Sequence, residues 1–279
     1  GKIMDFERLQ ELVRQSGKTQ HHGVNRGELP DLRDNKHDSF FLRRKEPARA
    51  AETIVELVQT RLPNNMGIPP EQIQVLSPTR RRGTGTTVLN QALQAALNPP
   101  SERKGERRFG DWIFRAGDRV MQVKNNYQLE WEILGRYKIP VDKGVGVFNG
   151  DTGIMTEINE FAETATVEFE DGRQAEYSFK QLEELELAYA VTIHKSQGSE
   201  YPAVIIPLLS GPRMLMNRNL LYTAVTRARK CVTVVGSEET FRDMIRNEKQ
   251  QKRYTGKRYL FQCSNSLCKY GSIRKENST

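Results

Sequence analysis

The sequence predicts an α/β fold built on an open parallel sheet, and three observations carry that expectation. Apolar, β-rich runs at 188–193, 203–209 and 231–235 alternate with polar turns, HKSQGSE at 194–200 and YTAVTRAR at 222–229. Strands bounded by turns of His, Lys, Gln, Gly and Arg suit an open sheet whose strand ends meet phosphates. An earlier apolar run at 73–76 leads through a Gly/Pro/Arg turn (77–86) into Val88, Leu89, Ala92, Leu93 and Ala96, which share one helical face.

The other elements follow in chain order. Residues 50–62 read as a helix, with Ile54, Val55, Val58 and Leu62 on one side. Residues 99–108 mix Lys/Arg with Glu and read as an exposed loop. Residues 118–123 alternate as a strand does, and 130–146 read as irregular. Residues 152–182 read as a small β module, with strand-like runs at 153–158, 164–170 and 174–179 and a hairpin signal at Asp171–Gly172. Thirty residues cannot make an independent core of any size, so the module depends on the domain around it. Its excision is expected to spare the main sheet.

The two turns carry a resemblance. TIHKSQGSE (192–200) and YTAVTRAR (222–229) resemble motifs V and VI of superfamily 1 helicases, most closely the RecD-like group, which moves 5′ to 3′ along DNA. Residues 74–99 resemble the strand–loop–helix that opens the second motor domain of that group. FRAGDRVMQVKNNY (114–127) followed by VFNGDTGIM (147–155) resembles a further hallmark. The resemblance implies a RecA-like parallel-sheet motor domain with a small SH3-like β-barrel insertion. It divides the chain into a remnant of the first motor domain (1–36), the second motor domain (37–151 and 183–247), the SH3-like insertion (152–182) and a basic tail (248–279).

The same resemblance implies roles for individual residues. ATP hydrolysis spreads negative charge over the transferred phosphoryl group, and an arginine placed there is worth about 10³–10⁵ in rate. Arg227 is the first candidate for that finger, with Arg229 as the alternative. RLQELVRQ (8–15) and HHGVNRGELP (21–30) resemble the stretch after motif III, which makes Arg14 a second finger candidate. Gln197, Gly198, Glu200 and Arg229 are the nucleotide-side candidates, Gly198 because it lets the backbone approach a ligand closely. His194, Lys195, Ser196, Thr79 and Arg80 are placed to hold DNA phosphates. Asn125, Asn126 and Tyr127 offer two amides and a ring to single-stranded DNA. The plainer reading of each basic turn is a solvated charged loop.

A motor of this kind needs G-x-x-x-x-G-K-[ST] and an acidic Mg²⁺ ligand. The GKT at 17–19 has Leu12 where the first glycine belongs. The chain therefore reads as the carboxy-terminal part of a larger enzyme. Its cofactors would be ATP and Mg²⁺, its partners single-stranded DNA and an amino-terminal ATP-binding domain, and by itself it is expected not to hydrolyse ATP. A second reading is a non-motor module that grips single-stranded nucleic acid without ATP. Oligomeric state is not legible.

Composition fits a soluble, cytoplasmic protein. Of 279 residues, 37% are hydrophobic and 28% charged, and no apolar run approaches the ~18 residues of a membrane span. Three cysteines are too few for a disulfide framework, and Cys263 and Cys268 lack the further ligands of a zinc site, so no metal is assigned. The net charge is +8, but residues 248–279 hold eight Lys/Arg against two Glu, which leaves the body nearly balanced. DNA binding must therefore rest on motifs rather than on net charge. The tail is expected to be flexible.

Overall fold

A computed structural model of the chain describes residues 39–81, 83–209, 211–212 and 214–247. Arg14, the proposed first-domain remnant and the basic tail lie outside the described residues.

Five strands form a wholly parallel sheet: β1 (Ser39–Arg43), β2 (Ile73–Ser77), β12 (Ala190–Thr192), β13 (Tyr201–Leu208) and β14 (Ala228–Gly236), in the order β1-β14-β13-β2-β12. Period-2 alternation along β13 sends Ala203 and Ile205 to one face and Val204, Ile206 and Leu208 to the other. Both faces are covered, as a parallel sheet requires. Helices α1 (Pro47–Glu56) and α2 (Thr86–Leu97) pack Ala50, Ile54, Leu89 and Leu93 on the first face. Helices α3 (Arg218–Val225) and α4 (Glu238–Arg246) pack Leu221, Ala224, Phe241 and Met244 on the second.

The helix expected at 50–62 is longer. It begins at Pro47, where a proline costs no hydrogen bond, and α1 continues through a π-turn (Leu57–Arg61) into Leu62–Met66. Pro63 explains the π-turn, since its ring and missing N–H cannot fit a regular α-helical turn. Gly67, at φ 63°, ends the run in the left-handed conformation.

The second sheet is larger than the 152–182 expectation. It has seven antiparallel strands in the order β11-β5-β8-β9-β10-β6-β7. Three are the expected ones, β8 (Thr152–Asn159), β9 (Thr164–Phe169) and β10 (Arg173–Ser178). The others are β5 (Arg119–Gln122), β6 (Asn126–Leu134), β7 (Pro140–Val147) and β11 (Leu185–Leu187). Residues 130–146 are thus a β-hairpin rather than irregular. The loop expected at 99–108 ends in β3 (Glu106–Phe109), paired with β4 (Trp112–Arg115).

The two sheets share structure rather than merely touching. One apolar core runs from α1 and α2 into Val120, Leu129, Val147, Met155, Val167 and Tyr177 of the second sheet. At the joint, the carboxylate of Asp118 is fully buried and accepts from Gln94 Nε2 (2.6 Å), Asn98 Nδ2 (2.7 Å), the Arg115 amide (2.7 Å) and the Tyr189 hydroxyl (2.9 Å). Burial pushes the Asp118 carboxyl above its usual range, against the pull of these donors. Asn90 adds a second tie, donating to the carbonyls of Leu187 and Ala190 at 2.9 Å each.

Candidate nucleic-acid and nucleotide sites

The parallel register puts the carboxyl ends of β2 and β12 side by side, with Thr192 opposite Ser77. The loop after β2 carries Thr79 and Arg80. The turn after β12, Ile193–Ser196, carries His194 and Lys195. The β2–α2 loop is held shut from inside: Ser77 Oγ donates to the carbonyls of Thr79 (3.0 Å) and Thr84 (2.9 Å). The first amides of α2, at Thr86 and Thr87, donate to the carbonyls of Thr79 and Arg80 at 3.1 Å each. The first two amides of the helix are therefore already engaged, which leaves the side chains of the loop as the main partners for an anion here.

Those side chains converge on a residue that the sequence reading missed. Arg80 and Lys195 both pair with the carboxylate of Glu186 in β11, Lys195 at 3.2 Å. They line a cleft with Met121, Leu187, Val191 and Thr192. Glu186 sits nine residues before Lys195, and only the antiparallel pairing of β11 with β5 brings it under both cations. A phosphate entering the cleft would exchange one anionic partner for another. His194 is exposed beside it. Ser196 is different: its side chain is fully buried and its hydroxyl donates to the Ile193 carbonyl at 2.8 Å. In this conformation it closes the turn, with its hydroxyl engaged by the backbone.

The candidates at 125–127 sit where β6 leaves β5. Asn126 is committed to the fold. Its amide donates to Glu184 (3.0 Å) and its carbonyl oxygen accepts from the amides of Gln128 (3.1 Å) and Leu129 (3.0 Å). Asn125 Oδ1 accepts from the Asn149 amide at 2.9 Å and so ties the turn before β8 to the start of β6. Tyr127 is 67% exposed and meets Phe148, 43% exposed, edge-on with ring centroids 5.7 Å apart. Phe148 is a second ring that the sequence reading did not single out. The two form an open aromatic step of the kind on which bases stack.

The nucleotide-side candidates lie elsewhere. Gln197, Gly198 and Glu200 immediately precede β13, and Arg227 immediately precedes β14, so this group gathers at the amino end of those strands. Thr79, Arg80, His194 and Lys195 thus follow the carboxyl ends of β2 and β12, whereas this second cluster lies at the amino ends of β13 and β14. The two segments are stitched together, with the Tyr201 amide donating to the Arg227 carbonyl at 2.8 Å. The Arg227 guanidinium donates to the carbonyls of Thr223 (3.2 Å) and Ser199 (3.1 Å) and to Thr226 Oγ1 (3.3 Å). Three of its five N–H groups are used, and two remain. Arg229 pairs with Glu200 at 2.8 Å on the exposed edge and holds that carboxyl below its usual range. Gly198 has φ 94° with no atom near its Cβ position, so backbone conformation rather than space selects glycine there.

This cluster fits a polyphosphate in its donor set, because a preorganised guanidinium stands beside an open glycine turn. Among the described residues there is no group of three or more His, Cys, Asp or Glu that could hold a metal ion. Nor is any described helix long and apolar enough to cross a membrane.

Residues 89–169 match the family model for the SH3 domain of ATP-dependent RecD-like DNA helicases, and residues 187–235 match the UvrD-like helicase C-terminal domain. The chain carries the carboxy-terminal region of a RecD-like helicase. It is 34% identical over 236 residues to the ATP-dependent RecD2 DNA helicase of Deinococcus radiodurans, a match that covers 82% of this chain and 28% of that protein. It is 31% identical over 188 residues to the RecBCD enzyme subunit RecD of Mycolicibacterium smegmatis, covering 67% of this chain and 29% of the relative. The chain thus spans less than a third of the length of these RecD-like relatives. A Bacteroides Pif1 helicase, solved with ADP-AlF3 and single-stranded DNA, aligns over 82% of this chain and 55% of its own at 17% identity and a TM-score of 0.41, too partial a likeness to argue from. The SH3 match reaches back to residue 89 and across β6 and β7, in keeping with the wider second sheet.

Proposed function

We propose that this RecD-like region is part of an ATP-dependent DNA helicase that moves 5′ to 3′, and that it supplies an arginine finger and much of the grip on single-stranded DNA. The observation that carries the reading is the fixing of Arg227. Its side chain is bonded into both motif segments, 197–200 and 222–229, with two N–H groups left over. A cation held by its own chain stabilises developing charge without reorganising, which is how such electrostatic catalysis acts. ATP, when bound against an amino-terminal ATP-binding domain, would supply the phosphoryl group and the free energy. Gln197, Glu200 and Arg229 would orient it, and Arg227 would meet the charge that develops on it. Mg²⁺ would be held by residues outside those described.

DNA would lie on the other cluster. Lys195, Arg80, Thr79 and His194 would hold phosphates, and Tyr127 with Phe148 would stack a base. Separation of the two sites across the sheet suits a motor, since nucleotide state at one edge can be passed to the grip at the other through β12, β13 and the 193–200 turn.

The test joins this chain to its ATP-binding domain and measures strand displacement. A duplex with a 5′ single-stranded tail is expected to be unwound in the presence of ATP, and one with a 3′ tail is not. The 279-residue chain alone is expected to be idle. DNA-stimulated turnover by that chain, persisting in Lys18→Ala, would mean the nucleotide site has been assigned to the wrong residues.

A further inference from the structure

The loop between β6 and β7 departs from what folding favours. Tyr137 and Lys138 are consecutive and both left-handed, at φ 65° and 58°. The loop is closed by backbone bonds between Lys138 N and the Gly135 carbonyl (3.2 Å) and between Gly135 N and the Ile139 carbonyl (2.9 Å). Two successive left-handed residues are what Asn-Gly provides at little cost, whereas tyrosine and lysine adopt them under strain. Burial does not offset that strain, because the Tyr137 ring is 91% exposed. On either side of the ring, Arg136 and Lys138 are exposed, and neither side chain has a hydrogen-bond or ion-pair partner among the described residues. Glu132 and Asp142 lie further back on the hairpin, where Glu132 pairs with Lys143 at 3.5 Å. Residues 135–139 themselves carry no acid.

An open ring between two unpaired cations has the chemistry of a base platform flanked by phosphate contacts. We propose that the loop at 135–139 is a second nucleic-acid contact, in which Tyr137 stacks on a base while Arg136 and Lys138 meet the flanking phosphates. The proposal rests on the reading that the chain grips a single strand at the Tyr127–Phe148 step. At a rise of about 3.3 Å per residue, β7 carries the loop about 23 Å from that step. The two contacts therefore engage different stretches of one strand, and the hairpin sets how long a strand must be to use both.

The experiment uses the whole 279-residue chain and oligothymidylates of about 6 and about 20 nucleotides, which bracket the usual site sizes of ~4–16. Two double variants are compared: Tyr137→Asn with Lys138→Gly, which relieves the backbone, and Arg136→Ala with Lys138→Ala. The first is expected to melt at the same temperature as the wild type or higher, and still to bind the long oligonucleotide about tenfold more weakly. The short oligonucleotide is expected to lose less than about twofold. The second variant is expected to lower the salt slope for the long strand by about 0.7 for each phosphate contact removed. Unchanged affinity for the long strand in both folded variants would overturn the proposal. Loss of long-strand binding in the variants, with no wild-type binding of the short strand, would uphold this loop and instead refute the grip at Tyr127 and Phe148.

Discussion

Arg227→Ala in the complete enzyme is expected to lower ATP turnover by about 10³-fold or more while leaving ATP binding nearly intact, because a finger acts chiefly in the transition state. The same substitution removes bonds to the carbonyls of Thr223 and Ser199. Stability must therefore be read alongside rate. Arg227→Lys separates the two roles, since lysine keeps a charge but loses the fork that spans both carbonyls and a phosphate. The measurement is single-turnover hydrolysis together with nucleotide affinity and thermal unfolding. Normal turnover in a folded alanine variant would remove Arg227 from the catalytic residues. A loss of turnover matched by an equal loss of nucleotide affinity would make it a binding residue only.

Deleting residues 152–182 and closing the gap with a short Gly/Ser turn is expected to unfold much more than the deleted segment, contrary to the expectation drawn from the sequence. The deletion takes β8, β9 and β10 from the middle of the seven-stranded sheet, leaving β5 without β8 and β6 without β10, and splits it into two separate strand pairs. It also removes Met155, Ile158, Val167, Phe169, Tyr177, Phe179 and Leu182 from a core that continues into α1 and α2. Fully burying an apolar side chain of this size contributes about 1.5–3 kcal/mol. Seven of them together rival the ~5–15 kcal/mol that holds a typical domain folded. Loss of a cooperative melting transition, with protease cutting in 106–134, is the expected result. A deletion variant that melts like the wild type would show that the second sheet is not continuous with the core.

What could be read from the sequence followed the strength of its periodicity. α2, β8, β9 and β10 stood out because buried and more exposed positions alternate there at the period of their element, β2 stood out as a short, wholly buried run before a turn, and Asp171–Gly172 marked the hairpin. β6 and β7 did not stand out. A bulge between Asn126 and Glu130 breaks the register, and most of β7 is exposed at both pleat positions, so no apolar alternation remains to be read. The motifs located Arg227, Lys195 and Arg80. They could not locate Glu186, whose place under the two cations depends on β11 pairing with β5. Nor could they reveal that Ser196 turns inward or that Asn126 is used up by Glu184 and two backbone amides. In each case the deciding partner is distant in sequence or belongs to the backbone.

The most direct test is the salt dependence of single-strand binding, measured on the chain truncated after Asn247 and on its Lys195→Ala variant. Truncation removes a tail rich in Lys and Arg that can bind DNA without using either site. The truncated chain is expected to retain single-strand binding that weakens steeply with salt. Lys195→Ala is expected to reduce the slope by about 0.7 and to lower affinity equally for oligonucleotides of different sequence, since the contact is to phosphate. Truncation that abolishes all binding, with Lys195→Ala leaving the full chain unchanged, would contradict the assignment and make the tail the binder.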